Sequence, residues 1–261
     1  MQNEIKVVFI GDVIGKPGRK ALESFVKSVE GDFIIINGEN IAGGIGITPK
    51  LAMEILSFGI DVITTGNHVW KKKEMIPFLM MEEKVLRPLN YPPGTPGSGY
   101  TVLNKDGKTL CVVNIEGRVF MNSLECPFRA MDRLLSELKA PIPTIVDFHA
   151  EATSEKIAMG WHLDGRVSAL LGTHTHVQTS DERILPEGTG YITDAGMTGP
   201  VDSVIGMDKK AVLGRFITLL PHKYEVGKED VEVQGVSLRI DGDTGRCISI
   251  TRIKEKADQR F

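Results

Sequence analysis

Phe33-Ile34-Ile35-Ile36-Asn37-Gly38-Glu39-Asn40 sets four consecutive apolar residues against an acid-amide pair. An apolar run without polar alternation is the pattern of a parallel strand buried on both faces. Glu39 and Asn40 close that run, and neither stays in an interior without partners. They sit either among hydrogen-bond donors at the carboxyl edge of a sheet or on a cation, and the other strand ends must decide.

Toward the N-terminus, Lys6-Val7-Val8-Phe9-Ile10 is a second buried strand that stops at Gly11-Asp12, and Gly15-Lys16-Pro17 opens a helix with proline in its first turn. Leu22, Phe25, Val26 and Val29 recur at helical spacing before residues 33–36, so the three segments read as a βαβ unit. Parallel pairing brings Asp12 and Glu39 to one sheet edge. Gly15-Lys16-Pro17-Gly18-Arg19 lacks the glycine and lysine spacing of a Walker loop.

Toward the C-terminus, Thr48-Pro49 caps a helix, and the strand Val62-Ile63-Thr64-Thr65 ends in Gly66-Asn67-His68. Trp70 onward reads as helical to about Pro77, and the prolines and glycines of 88–99 make an irregular excursion. A hairpin around Asp106-Gly107 makes the sheet mixed. An amphipathic helix over 126–138 leads to a strand over 142–148 that ends at His149. After a helix over 151–163, Val167-Ser168-Ala169-Leu170-Leu171 runs into Gly172-Thr173-His174-Thr175-His176. Strand-like runs at 190–193, 231–240 and 247–253 accompany a helix over 209–219, and 255–261 reads as a tail beyond a single domain of 1–254.

With 261 residues, 41% hydrophobic and 25% charged, the chain suits one large globular domain without a transmembrane helix. The N-terminus shows no basic segment followed by an apolar leader, the pattern of a cytoplasmic protein. Three widely spaced cysteines, none in a Cys-x-x-Cys pair, argue against a disulfide framework and a structural zinc site and read as buried free thiols. A formal net charge of −3 argues against long nucleic acid as a partner.

Asp12, Glu39, Asn40, Asn67, His68, His149, His174 and His176 all fall at the ends of apolar runs, the edge where α/β sheets build their sites. Singly, each is ordinary: an aspartate after a strand is a turn former, and a lone histidine is a satisfied polar residue. As a set, carboxylates, amides and imidazoles without cysteine are the donors of iron, manganese or zinc in a catalytic role.

The blocks Gly11-Asp12, Gly38-Glu39-Asn40, Gly66-Asn67-His68, His149 and Gly172-Thr173-His174-Thr175-His176 resemble those of the calcineurin-like metallophosphoesterases, across nearly the whole chain. Phe9-Ile10-Gly11-Asp12-Val13-Ile14-Gly15, residues 37–40 and Thr193-Asp194-Ala195-Gly196-Met197-Thr198-Gly199-Pro200 resemble the YmdB-like bacterial branch, described as cyclic-nucleotide phosphodiesterases. The resemblance implies an α/β sandwich of two mixed β-sheets flanked by helices, in αββα layers. Two departures from the broad pattern stand out. The histidine of the usual Asp-x-His is missing from Asp12-Val13-Ile14, and Glu39 replaces the usual bridging aspartate, with Asn40 filling the vacancy.

By that resemblance, Asp12, Glu39, Asn40 and His176 hold one metal ion and Glu39, Asn67, His149 and His174 a second, with iron first and manganese or zinc as alternatives. Two such cations ~3.5–4 Å apart share a hydroxide that attacks the phosphorus. The implied substrate is a small phosphodiester, a cyclic nucleotide of the 2′,3′- or 3′,5′-cyclic AMP type. His68 is the implied acid for the leaving oxygen, or else a hydrogen-bond partner that orients a ligand. Phosphomonoester hydrolysis, RNA-directed hydrolysis and nucleotide sensing without turnover are the alternatives. A homo-oligomer, dimer or tetramer, is also implied. His162 and His222 stay outside the site, while Asp194 and Thr198 line the pocket or merely form a turn.

Overall fold

The computed structural model describes residues 3–138 and 141–257. In chain order its elements are β1 (Glu4–Ile10), β2 (Asp12–Val13), α1 (Gly15–Val26), β3 (Phe33–Asn37), α2 (Pro49–Leu56), β4 (Val62–Thr64), α3 (Met75–Leu79), β5 (Tyr100–Lys105), β6 (Lys108–Glu116) and α4 (Pro127–Glu137). They continue with β7 (Thr144–His149), α5 (Thr153–Leu163), β8 (Ala169–Thr173), β9 (Arg183–Ile184), β10 (Gly190–Ile192), β11 (Met197–Pro200), α6 (Lys209–Thr218), β12 (Val231–Asp241) and β13 (Cys247–Lys256).

The strands form two mixed sheets. One runs β2-β11-β12-β1-β3-β4, with β13 also on β12, and the other runs β5-β6-β7-β8-β10-β9. Strand periodicity explains why the central strands are apolar at every position. Val7, Phe9, Phe33 and Ile35 point inward and meet Leu110, Val112, Ile145 and Leu171 of the facing sheet. Their neighbours Val8, Ile10, Ile34 and Ile36 point outward, against Leu22 and Phe25 of α1 and Ile55 of α2. Val113, Val146, Phe148 and Leu170 do the same on the second sheet, beneath Met131 of α4 and Met159 of α5. The result is the αββα layering expected from the sequence. Each fully buried side chain of this kind contributes about 1.5–3 kcal/mol, and their sum is what holds the polar strand ends in a dry interior.

β1, β3 and β4 are parallel neighbours, as are β6, β7 and β8, so in each sheet the carboxyl ends of three strands lie side by side. Thr48 caps α2 by accepting from the backbone N–H of Leu51.

Two expectations need correction. Residues 70–74 form successive tight turns, and the helix expected from Trp70 occupies only Met75–Leu79. Pro77 lies in its first turn, where a missing N–H costs nothing, so it belongs near the start of this helix and not at its end. The tail expected from Glu255 does not start there, because Glu255 and Lys256 pair with Val233 and Glu232 in the long β12–β13 ladder. Residues 258–261 lie outside the described part. Among the described residues no helix is long and apolar enough to cross a membrane.

Candidate metal centre

Side chains from the ends of both sheets converge at one point. Glu39, two residues beyond β3, is fully buried, and its Oε1 lies 3.2 Å from Nε2 of His149, the last residue of β7. His149 Nε2 is also 3.1 Å from Asn67 Oδ1 and 3.0 Å from His174 Nδ1. The donor atoms of Glu39, His149 and His174 all lie within 4.8 Å of one another. Beside them, Asn40 Nδ2 stands 3.2 Å from Glu39 Oε1 and 3.2 Å from His176 Nε2, and His176 Nε2 is 3.7 Å from Asp12 Oδ1. The eight residues singled out from the sequence therefore gather in one cluster. Their contacts fall into two groups, one around His149 and one around His176, with Glu39 common to both.

Three of the four imidazoles, His149, His174 and His176, are each held by the outer nitrogen. Thr173 donates its hydroxyl to Asp147 Oδ1 (2.7 Å), so its oxygen accepts from His149 Nδ1 (2.9 Å) and Nε2 is left facing the cluster. His174 Nε2 donates to Glu151 (3.0 Å), which turns Nδ1 inward. His176 Nδ1 donates to the carbonyl of Ile205 (2.9 Å), which turns Nε2 inward. Three inward nitrogens among carboxylates are donors that suit a borderline cation.

The electrostatics agree. Burial pushes the Asp12 carboxyl up despite His176 and His149 nearby. Its Oδ2 accepts from the backbone N–H of His174 (3.1 Å), but its buried Oδ1 has no hydrogen-bond partner among the described residues. A buried oxygen of this kind is costly unless a positive charge meets it. Burial alone would raise Glu39 too, but His149 and His68 outweigh it and hold the carboxyl well below its usual range. For His149 burial opposes charge, yet Glu39, Asp12 and Asp147 raise it to about 9. His174 goes the other way, to about 3, through burial and then the neighbouring His149. Glu39 Oε1 and His174 Nδ1 thus both face His149 Nε2, at 3.2 Å and 3.0 Å. Asn40 alone is turned away from binding a cation. Its Oδ1 lies 2.9 Å from His68 Nδ1, and a ligand role needs its amide reversed.

His68 stands at the rim with its side chain 26% exposed; its backbone N–H donates to Glu39 Oε2 (3.1 Å), and its Nδ1 is 3.2 Å from Glu39 Oε1. Its Nε2 takes no part in these contacts. Gly66 precedes this segment because a Cβ there would fall on the His149 ring and on Glu39 Oε2.

A family model described as YmdB-like protein matches residues 8–253. The chain belongs to the YmdB-like family. It is similar to the 2′,3′-cyclic-nucleotide 2′-phosphodiesterase of Bacillus subtilis strain 168, at 47% identity over 262 residues, covering 98% of this chain and 99% of that one. Among solved structures, a novel phosphatase from Mycoplasma pneumoniae superposes with a TM-score of 0.91 at 33% identity, over 99% of this chain and 95% of the other. A hypothetical protein from Thermus thermophilus superposes with a TM-score of 0.89 at 42% identity, over 97% and 100%. The YmdB-like fold is the calcineurin-like metallophosphoesterase sandwich expected from the sequence.

Within this YmdB-like site, several participants escaped the sequence reading. Asp147 lies two residues before His149 on the same strand face, a spacing that could have marked it; burial pushes its carboxyl up to about 6. Glu151 follows His149 by two residues. Glu116, in register with His149 on β6, is buried and pushed up to about 7 by burial, its Oε1 accepting from Asn122 (3.0 Å). Asp194 does not line a pocket: it is fully buried on Lys156, and Thr198 is buried in the β11–β12 pairing. His162 pairs with Asp132 and stacks edge-on with Phe128, away from the cluster.

Proposed function

We propose that this protein hydrolyses small cyclic nucleotides, 2′,3′-cyclic nucleotides first, using two metal ions held by Asp12, Glu39, Asn40 and His176 and by Glu39, Asn67, His149 and His174. One observation carries this reading: three buried or half-buried imidazoles, each oriented from outside, converge with two buried carboxylates where the strand ends of the two sheets meet. The curated relative from Bacillus subtilis supports the substrate class. Bound there, the cations would neutralise phosphate oxygens and acidify an attacking water.

The chain supplies the rest. His149, His174 and His176 are kept in fixed orientations by Thr173, Glu151 and the Ile205 carbonyl, so little reorganisation accompanies the reaction. Glu39 joins the two groups. His68, at the exposed rim, donates a proton from Nε2 to the leaving ribose oxygen, a contribution of ~10²–10⁴-fold. With a net charge of −3 the surface offers no general attraction to a polyanion, so a small diester is the better fit than long RNA. Turnover of 2′,3′-cyclic AMP, 3′,5′-cyclic AMP and a 3′-mononucleotide, compared on one manganese-loaded preparation, tests the assignment. The 2′,3′-cyclic diester should be turned over fastest; activity on the monoester alone would overturn the substrate class.

A further inference from the structure

Behind the last sheet-edge turn lies an ion pair that the hydrolytic step does not use. Lys156 of α5 and Asp194, just beyond β10, are both fully buried, with Nζ 2.8 Å from Oδ2. Lys156 Nζ also donates to the carbonyl of Thr173 (2.7 Å), the residue before His174. Asp194 Oδ2 accepts from the backbone N–H (3.1 Å) and the hydroxyl (2.7 Å) of Thr175, the residue between the two histidines. Its Oδ1 accepts from the backbone N–H of Gly196 (2.9 Å). The pair grips the turn at two points, one before His174 and one before His176.

The turn needs that grip. His174 (φ 100°) and His176 (φ 65°) both have left-handed backbones, which residues other than glycine avoid unless their surroundings impose them. The imposed shape separates the rings: His174 Nδ1 goes to the His149 group and His176 Nε2 to the Asn40 and Asp12 group. Stability is a poor reason for such a pair, since apolar side chains of similar volume usually serve as well or better. Geometry is a sufficient one.

We propose that Lys156 and Asp194 are a positioning pair that sets the His174-Thr175-His176 turn, and so the placing of one imidazole in each of two cation sites. The inference rests on reading the cluster as a two-cation centre. Groups that orient metal ligands typically change metal affinity ~10–100-fold when removed.

The test compares wild type with Lys156→Met/Asp194→Leu, which removes both charges together, and with Thr175→Val, which removes only the hydroxyl bond to Asp194. Mn²⁺ affinity is read by chelator competition, folding by circular dichroism, and KM for 2′,3′-cyclic AMP at saturating Mn²⁺. The double variant should bind Mn²⁺ about 10–100-fold more weakly at an unchanged KM, and Thr175→Val should lose affinity in the same direction by less. Wild-type affinity in the folded double variant would overturn the proposal. If the double variant does not fold, wild-type affinity in Thr175→Val overturns it instead. Failure of the wild-type protein to take up Mn²⁺ would sink the two-cation reading itself, a result distinct from either.

Discussion

His68 and His149 illustrate two ways in which one residue serves this site. His68 touches Glu39 and Asn40 through Nδ1 and through its backbone N–H, and it is partly exposed. His68→Ala should therefore leave metal content near normal while lowering kcat by ~10²–10⁴-fold. Unchanged turnover, with metal measured in the same sample, would remove its role as acid. His149 is buried and, without metal, is raised to about 9 from 6.5. A histidine raised in the folded state stabilises below its unfolded value and loses that contribution as pH climbs through the folded one. The melting temperature of the metal-free protein should accordingly fall by several degrees between pH 6.5 and 9. His174, lowered to about 3, acts only below its unfolded value of 6.5, outside that window. Because His149 must give up its proton to bind a cation, Mn²⁺ affinity should rise over the same range. Affinity independent of pH there would contradict the arrangement of donors.

At the scale of elements, strand ends carry the chemistry and turns aim it. Gly66 lets the turn after β4 pass against the His149 ring and Glu39. Gly66→Ala should fold, since the core is untouched, but should displace one or both ligands and cut bound metal at least tenfold, as read by metal analysis after dialysis. Retention of both ions would show that this close approach is dispensable. The strands were legible because continuous apolar runs have few other homes, and the site because polar residues ended them. The segment after His68 was not, since a proline reads equally as a stop or as a first-turn residue, and only the turns at 70–74 decide. The Lys156 and Asp194 pair left no local trace, being separated by 38 positions and joined only through the fold. Orienting partners such as Thr173 and Ile205 are likewise ordinary residues until the sheets place them.

Over the whole molecule, two sheets with a shared dry core bring the ends of β3, β4, β7 and β8 to one place, and the polar cluster is tolerable there because surrounding apolar burial outweighs its cost. Family membership and fold follow from the match over residues 8–253 and from the superposed relatives. In the proposed function seven donors hold two ions, and these make the protein a cyclic-nucleotide phosphodiesterase. Its most direct test is a titration of chelator-stripped protein with Mn²⁺ while the initial rate of 2′,3′-cyclic AMP hydrolysis is followed. The rate should be negligible without metal and should rise to a plateau at about two equivalents per chain, the stoichiometry of a two-metal hydrolytic site. Full turnover by the stripped protein, or none at any Mn²⁺ concentration, would contradict it.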